Sequence, residues 1–321
     1  MESERMRIVF MGTPDFAVPS LNLLLDNGYE VVAVVTQPDR PKGRKRTLTP
    51  PPVKEAALLR GLPVLQPGRM RDPEAIRQVA AFEPDLIVTA AYGQILPKAV
   101  LELPRLGCIN VHGSLLPQYR GGAPIQRAIM NGETVTGVTI MYMAEGLDTG
   151  DMISRVEVPI AEGDTSGTMF TKLSLAGAEL LGATLPSIIS GTVTPEPQND
   201  AEATYAPNLS REDERIDWTR PAGEIFNQVR GLAPMAGAFT YLHGEVFKVW
   251  ACRIARAGQA AGQAAPGQVL ETSADGILVQ TGEGVLELTF IQPAGKKAMP
   301  AADWLKGSRI PGGTTLGGEG S

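Results

Sequence analysis

The run CINVH (108–112) ends in an amide and an imidazole two residues apart, Asn110 and His112, and leads into GSLLPQYRGGAP. In a strand, residues i and i+2 share a face, so these two side chains point together while Ile109 and Val111 face the opposite layer. The chain has only two histidines, His112 and His243, so chemistry that needs an imidazole near neutral pH has two candidates. His243, in YLHGEVF, reads as a turn residue between two strands. The Gly-rich loop EGLDTGD (145–151) carries Asp148 and Asp151, and a chain bending at Gly146 and Gly150 can bring a carboxylate to another strand end. Asp148 is the better candidate to orient His112, because Asp151 falls where the next strand begins. The competing reading is a turn aspartate that bonds its own backbone. An Asn, a His and an Asp on one cleft suit acyl transfer to an amine without a covalent enzyme intermediate. The imidazole relays the amine proton, the carboxylate holds the ring, and the amide donates to the developing oxyanion. Cys108 shares the face of Asn110, but it lies earlier in the strand, hence deeper, where a cysteine is usually a small core residue. GxSxG, HExxH and CxxC spacings are absent, which disfavours a serine hydrolase and a zinc site; no metal is expected.

A second distinctive run, QPDRPKGRKRTLTPPPVK (37–54), places Arg40, Lys42, Arg44, Lys45, Arg46 and Lys54 against one acid, Asp39. Such a run can be solvated surface or a targeting signal. Its prolines stiffen it, however, and it follows a strand at the same carboxyl edge as the candidate site, where a phosphate-rich substrate fits. The first strand runs into MGTPDF (11–16), where a dinucleotide fold would carry GxGxxG; Gly12 is present and the other two glycines are not, so a nicotinamide enzyme is disfavoured.

These residues need a scaffold that gathers strand ends. From Arg7 onward, RIVFM (7–11), VVAVVTQ (31–37), LPVLQ (62–66), DLIVTAA (85–91) and CINVH alternate with helix-length amphipathic stretches, which predicts a mostly parallel sheet covered by helices, a Rossmann-like α/β domain. TGVTIMYM and MISRVEVPI are longer strand candidates expected to pair antiparallel, followed by a helix over about 165–190. The polar, Pro-rich stretch 194–210 reads as a linker. Beyond it, one helix near 221–231 and several short strands separated by Gly-containing turns predict a small barrel, OB-like or SH3-like. The expected domains are therefore 6–193, a linker over 194–210, and 211–310. The run 257–268 is low-complexity and expected as an exposed loop, and the Gly-rich tail is expected to fray. With 43% hydrophobic and 20% charged residues among 321, the chain has a globular balance. No apolar run approaches the roughly 18 residues of a membrane span, and the start, MESERMRIVF, has no signal core. A cytoplasmic monomer without a membrane partner is expected, and the net charge of −6 argues against general coating of nucleic acid.

The strings MGTPDFAVPSL, TQPDRPKGRK, AYGQILP, CINVHGSLLPQYRGGAPIQRAI, GVTIMYMAEGLDTGDM, RIDW and QPAGKKAM, in this order, closely resemble the bacterial methionyl-tRNA formyltransferases over about residues 6–306. The HGSLLP segment is shared by the wider group of 10-formyltetrahydrofolate-using formyltransferases; the basic loop and the C-terminal strings point to the tRNA enzymes. The resemblance implies a Rossmann-like catalytic domain followed by an OB-like domain that helps bind tRNA. It also implies formyl transfer from 10-formyltetrahydrofolate to methionyl-initiator tRNA in translation initiation. The family's catalytic Asn, His and Asp fall on Asn110, His112 and Asp148. Its folate-binding segment falls on Ser114, Leu115, Leu116 and Pro117, with Tyr92 and Gly93 near the pterin. Its acceptor-stem insertion falls on residues 38–47, giving Arg40, Lys42, Arg44, Lys45 and Arg46 as tRNA contacts. The rivals are a formyltransferase acting on glycinamide ribonucleotide or an amino sugar nucleotide, and a non-catalytic RNA-binding module.

Overall fold

Apolar runs too short for helices and buried on both faces become parallel strands, and the first half of the chain is built from them. The computed structural model describes residues 5–255 and 263–318. It divides into two compact units, Met1–Pro124, Val135–Pro159 and Phe170–Ala206 forming the first, and Ile125–Thr134, Ile160–Met169 and Pro207–Ser321 the second.

The strands of the first unit are β1 (Arg7–Gly12), β2 (Glu30–Val35), β3 (Arg40–Lys42), β4 (Thr47–Thr49), β5 (Val64–Leu65), β6 (Leu86–Ala90), β7 (Cys108–His112), β8 (Val135–Tyr142) and β9 (Met152–Pro159). Seven of them make one sheet in the order β5-β2-β1-β6-β7-β8-β9. β5, β2, β1, β6 and β7 run parallel, while β8 and β9 pair antiparallel at the β7 edge. Helices α1 (Val18–Asp26), α2 (Pro52–Leu59), α3 (Pro73–Ala80) and α4 (Lys98–Leu101) fall in the connections between parallel strands. Strand order reverses between β1 and β6, which opens a crevice at their carboxyl ends. This is the Rossmann-like domain that the alternation of runs predicts.

Helix α5 (Pro124–Met130) belongs to the second unit, and α6 (Ser166–Ser190) begins there and continues through the first. By length and composition α6 could cross a bilayer, with a mean hydropathy of 1.4 over its most apolar window. It instead lies on the sheet. Leu173, Leu181, Leu185 and Ile188 are buried, a Cβ on Gly177 would meet Val111, and Thr184 shares a hydrogen bond of 2.7 Å with Ser154 of β9.

Stretch 194–210 departs from the expected linker. Glu196 pairs with Met152, Thr204 receives the amide of Arg120, and Ala206 is fully buried. Its polar side chains bond to the domain, so a composition that looks like solvent-exposed chain is here tertiary structure. The basic run is also more ordered than a loop: β3 and β4 form an antiparallel hairpin, turning through Gly43 and Arg46 at φ of 72° and 49°.

In the second unit α7 (Arg211–Glu214) carries a capping box, Ser210 accepting from the amide of Asp213 while Asp213 accepts from that of Ser210. Asp213 also meets Arg127 of α5 at 3.0 Å. The Ser210 amide, with Arg127, holds the Asp213 carboxyl below its ordinary range. Helix α8 (Ala222–Leu232) precedes β10 (Ala238–Leu242), β11 (Glu245–Ile254), β12 (Val269–Thr272), β13 (Ile277–Gln280), β14 (Val285–Gln292), β15 (Met299–Pro300) and α9 (Ala301–Leu305). The sheet runs β10-β11-β14-β13-β12, antiparallel throughout, with β15 on β14. His243 occupies the β10–β11 turn at φ 51°. Residues 257–262 of the low-complexity run lie outside the described residues.

As far as residue 318 the tail does not fray as its glycines suggest, and residues 319–321 lie outside the described residues. Thr314 accepts from the Val269 amide and Leu316 donates to Gly267 on one edge, while Gly317 donates to Tyr241 of β10 on the other. Leu316 is buried in the same core as Trp218, Phe247 and Leu288. The tail therefore bridges the two edge strands and gives the sheet its barrel-like closure.

Candidate active site

Strand β7 sets the geometry. Paired with Thr139 and Met141 of β8, His112 and Asn110 lie on one face at its carboxyl end, and Val111 turns the other way, under α6. His112 is buried, and both ring nitrogens face oxygen: Nε2 lies 3.0 Å from the Tyr119 carbonyl and Nδ1 lies 3.7 Å from Asp148 Oδ2. The first distance is a hydrogen bond and the second is an ion-pair separation too long for one. An imidazolium would thus find an acceptor on each side.

Asp148 reaches the ring because its loop is bent back sharply. Its own φ is 50°, a region that non-glycine residues occupy only when surrounding contacts hold them there. Gly150 makes the bend possible, since a Cβ there would lie 1.7 Å from the Tyr142 carbonyl oxygen. The carboxylate takes the Gly121 amide at 2.8 Å, so Asp148 is fastened to the segment that follows β7. Asp151 is exposed, and its carbonyl accepts from the Tyr142 amide.

Asn110 is oriented by a residue that the sequence pattern does not single out. Thr89, on the neighbouring strand β6 and buried, places Oγ1 2.8 Å from Asn110 Oδ1 and 3.0 Å from the Ile109 carbonyl. With its oxygen engaged, Asn110 keeps its amide nitrogen as the available donor. Cys108 behaves as its depth predicts: it is buried among Val9, Met11 and Val100, and burial pushes its thiol up to about 12. That depth and direction disfavour a thiolate nucleophile at neutral pH.

The segment after His112 is pinned from within. Ser114 Oγ donates to the Gln118 carbonyl at 2.6 Å, Thr139 bonds both the Ser114 carbonyl and the Leu116 amide, and Arg155 reaches the Leu116 carbonyl. Ser114 and Leu116 are fully buried, Pro117 is buried, and Leu115 is half-buried. Tyr92 and Gly93 follow β6 at the crevice between β1 and β6, where Thr13 holds the Tyr92 carbonyl at 2.8 Å. Gly93 sits at φ 92°, close to Gln37. The Tyr92 hydroxyl is buried without a hydrogen-bond partner among the described residues, and burial pushes it up to about 12. Gly12 is required by space, since a Cβ there would crowd Ala17 and the Ala90 carbonyl.

Of the basic run, Lys54 is neutralised by Asp39 at 3.0 Å, and Gln66 with Lys54 keeps the Asp39 carboxyl below its ordinary range. Arg40, Lys42, Arg44, Lys45 and Arg46 are all exposed on the β3–β4 hairpin, with no ion pair among the described residues.

Residues 6–185 match the family model described as formyl transferase, and residues 208–309 match that of the formyl transferase C-terminal domain. The chain is 59% identical over 312 residues to the methionyl-tRNA formyltransferase of Bacillus licheniformis, covering 97% of this chain and 98% of that protein. It is 56% identical to the protein of the same name from Bacillus subtilis, with the same coverage. Among solved structures, HypX from Aquifex aeolicus in complex with tetrahydrofolic acid matches with a TM-score of 0.64 at 19% identity, over 97% of this chain and 51% of that one. WlaRD, a sugar 3N-formyl transferase, matches with a TM-score of 0.64 at 19% identity, over 92% of this chain and 100% of that one. At such identities the structures speak to fold alone.

Proposed function

The chain belongs to the methionyl-tRNA formyltransferase family, and from that premise we propose that Asn110, His112 and Asp148 carry formyl transfer from 10-formyltetrahydrofolate to the α-amino group of methionyl-initiator tRNA. The observation that carries this reading is the pairing of a pre-oriented amide donor with an imidazole flanked by a carboxylate on the same strand end. An α-amine with a pKa of about 8 is partly neutral at working pH and needs little activation as nucleophile. Its attack forms the new C–N bond and puts negative charge on the formyl oxygen, which Asn110 and protonated His112 stabilise. The C–N bond to the folate then breaks, and His112 passes the proton lost by the amine to the departing nitrogen while Asp148 holds the ring.

Tyr92, Gly93 and the Ser114–Pro117 segment would hold the folate. Tyr92 would act through its backbone at the crevice, held by Thr13, and Ser114 and Leu116 by fixing the loop. The five free cations of the hairpin would meet the acceptor stem. The enzyme would work as a monomer in the cytoplasm, where aminoacylated tRNA is found.

The test is formylation of charged initiator tRNA by the purified protein. His112→Ala and Asn110→Ala variants that remain folded should each lose on the order of 100-fold in kcat, the usual cost of removing an oxyanion donor. Near-normal turnover in either would remove that residue from the mechanism. Formylation of glycinamide ribonucleotide or an amino sugar nucleotide in place of the tRNA would overturn the substrate assignment.

A further inference from the structure

Asp148 does its work from a left-handed backbone conformation, and the contacts that keep it there come from outside its own loop. Gln198 supplies them. Its amide nitrogen lies 2.7 Å from the Asp148 carbonyl and 2.7 Å from the Gly150 carbonyl, so both of its N–H groups are spent on the bend that carries the carboxylate. Its oxygen accepts from Nε of Arg120 at 3.1 Å, and Arg120 is itself 2% exposed and anchored to Asp200 at 2.7 Å. The next residue, Gly121, donates the amide that holds the Asp148 carboxylate. Arg120 and Gly121 thus hold the two ends of Asp148, the backbone through Gln198 and the side chain directly.

We infer that Gln198 is a positioning residue for the reaction, acting through Asp148 and never touching substrate. This rests on the reading of Asp148 as the partner of His112. A non-glycine residue at φ 50° stays there only while its surroundings require it. Without the two Gln198 bonds the bend relaxes, and the carboxylate moves off both the Gly121 amide and the imidazole. Displacements of about 1 Å at a catalytic group can cost as much as about 100-fold in rate.

The decisive variant is Gln198→Glu, which keeps an oxygen for Arg120 and removes both donors. It should lower kcat roughly 10- to 100-fold, with KM for folate and for aminoacyl-tRNA within about twofold of the parent, in a protein that still unfolds cooperatively at a somewhat lower midpoint. In an Asp148→Asn background the same change should have no further effect, because a residue acting through that carboxylate loses its effect when the carboxylate is gone. A normal kcat in folded Gln198→Glu, or an equal loss in the Asp148→Asn background, overturns the inference. If Gln198→Glu does not fold, Gln198→Met, of similar volume and without donors, takes the same test with the same outcomes. An inactive parent, or an Asp148→Asn variant of full activity, would instead overturn the mechanism on which the inference rests.

Discussion

Thr89 Oγ1 meets the Asn110 amide oxygen at 2.8 Å, and the amide is useful to an oxyanion only with its nitrogen left free. A net hydrogen bond is worth about 1 kcal/mol, close to a factor of 5 to 10 in an equilibrium. Thr89→Val, nearly isosteric, should therefore lower kcat by about that factor with KM unchanged, while Thr89→Ser keeps most of the activity; steady-state kinetics on both variants checks it. Asn110 and His112 are legible in the sequence because strand periodicity fixes their common face and histidine is scarce. Asp148 is legible as a carboxylate in a loop that glycines allow to bend. Thr89, Gln198 and the Gly121 amide are not, because each acts through a partner 21, 50 or 27 residues away and no local pattern announces such a pair.

At the scale of elements, β1, β2, β6 and β7 can be read from sequence because strands buried on both faces are continuous apolar runs, and the β8–β9 pair because its strands are long and joined by a Gly-rich loop. Where order depends on distant partners, the reading stops short. The 194–210 stretch is polar and Pro-rich, yet Arg120, Tyr119 and Met152 bind it in place. The same composition would be a solvated linker without them. The β3–β4 hairpin is a three-residue ladder whose conformation comes from Gly43 and Arg46, too short to carry a period. Five exposed cations on that hairpin, with no ion pair among the described residues, give a defined expectation for tRNA. Arg44→Ala/Lys45→Ala should raise KM for tRNA, leave KM for folate unchanged, and lower the slope of log K against log salt by about two. An unchanged salt slope would mean that the hairpin does not meet phosphate.

For the whole molecule, net charge is a poor guide to the partner. Residues 1–205 carry 18 basic and 23 acidic side chains and residues 206–321 carry 11 and 12, so neither part is basic, and the densest run of positive charge is the hairpin segment 40–46. The total salt dependence of tRNA binding should accordingly be shallow. The second unit owes its integrity to a segment that composition dismisses. Leu316→Ala removes a buried side chain from its core and should destabilise that unit by about 3 kcal/mol, seen as a lower midpoint in denaturant unfolding while the first unit's transition stays in place. The bridge made by residues 313–317 also has a temporal side. β10 and β12 leave the ribosome before the segment that covers their edges, and for that interval each presents unpaired backbone amides and carbonyls to any neighbouring nascent chain. These edges are thus covered only once residues 313–317 have emerged, and a premature stop upstream of Leu316 would leave both edges open.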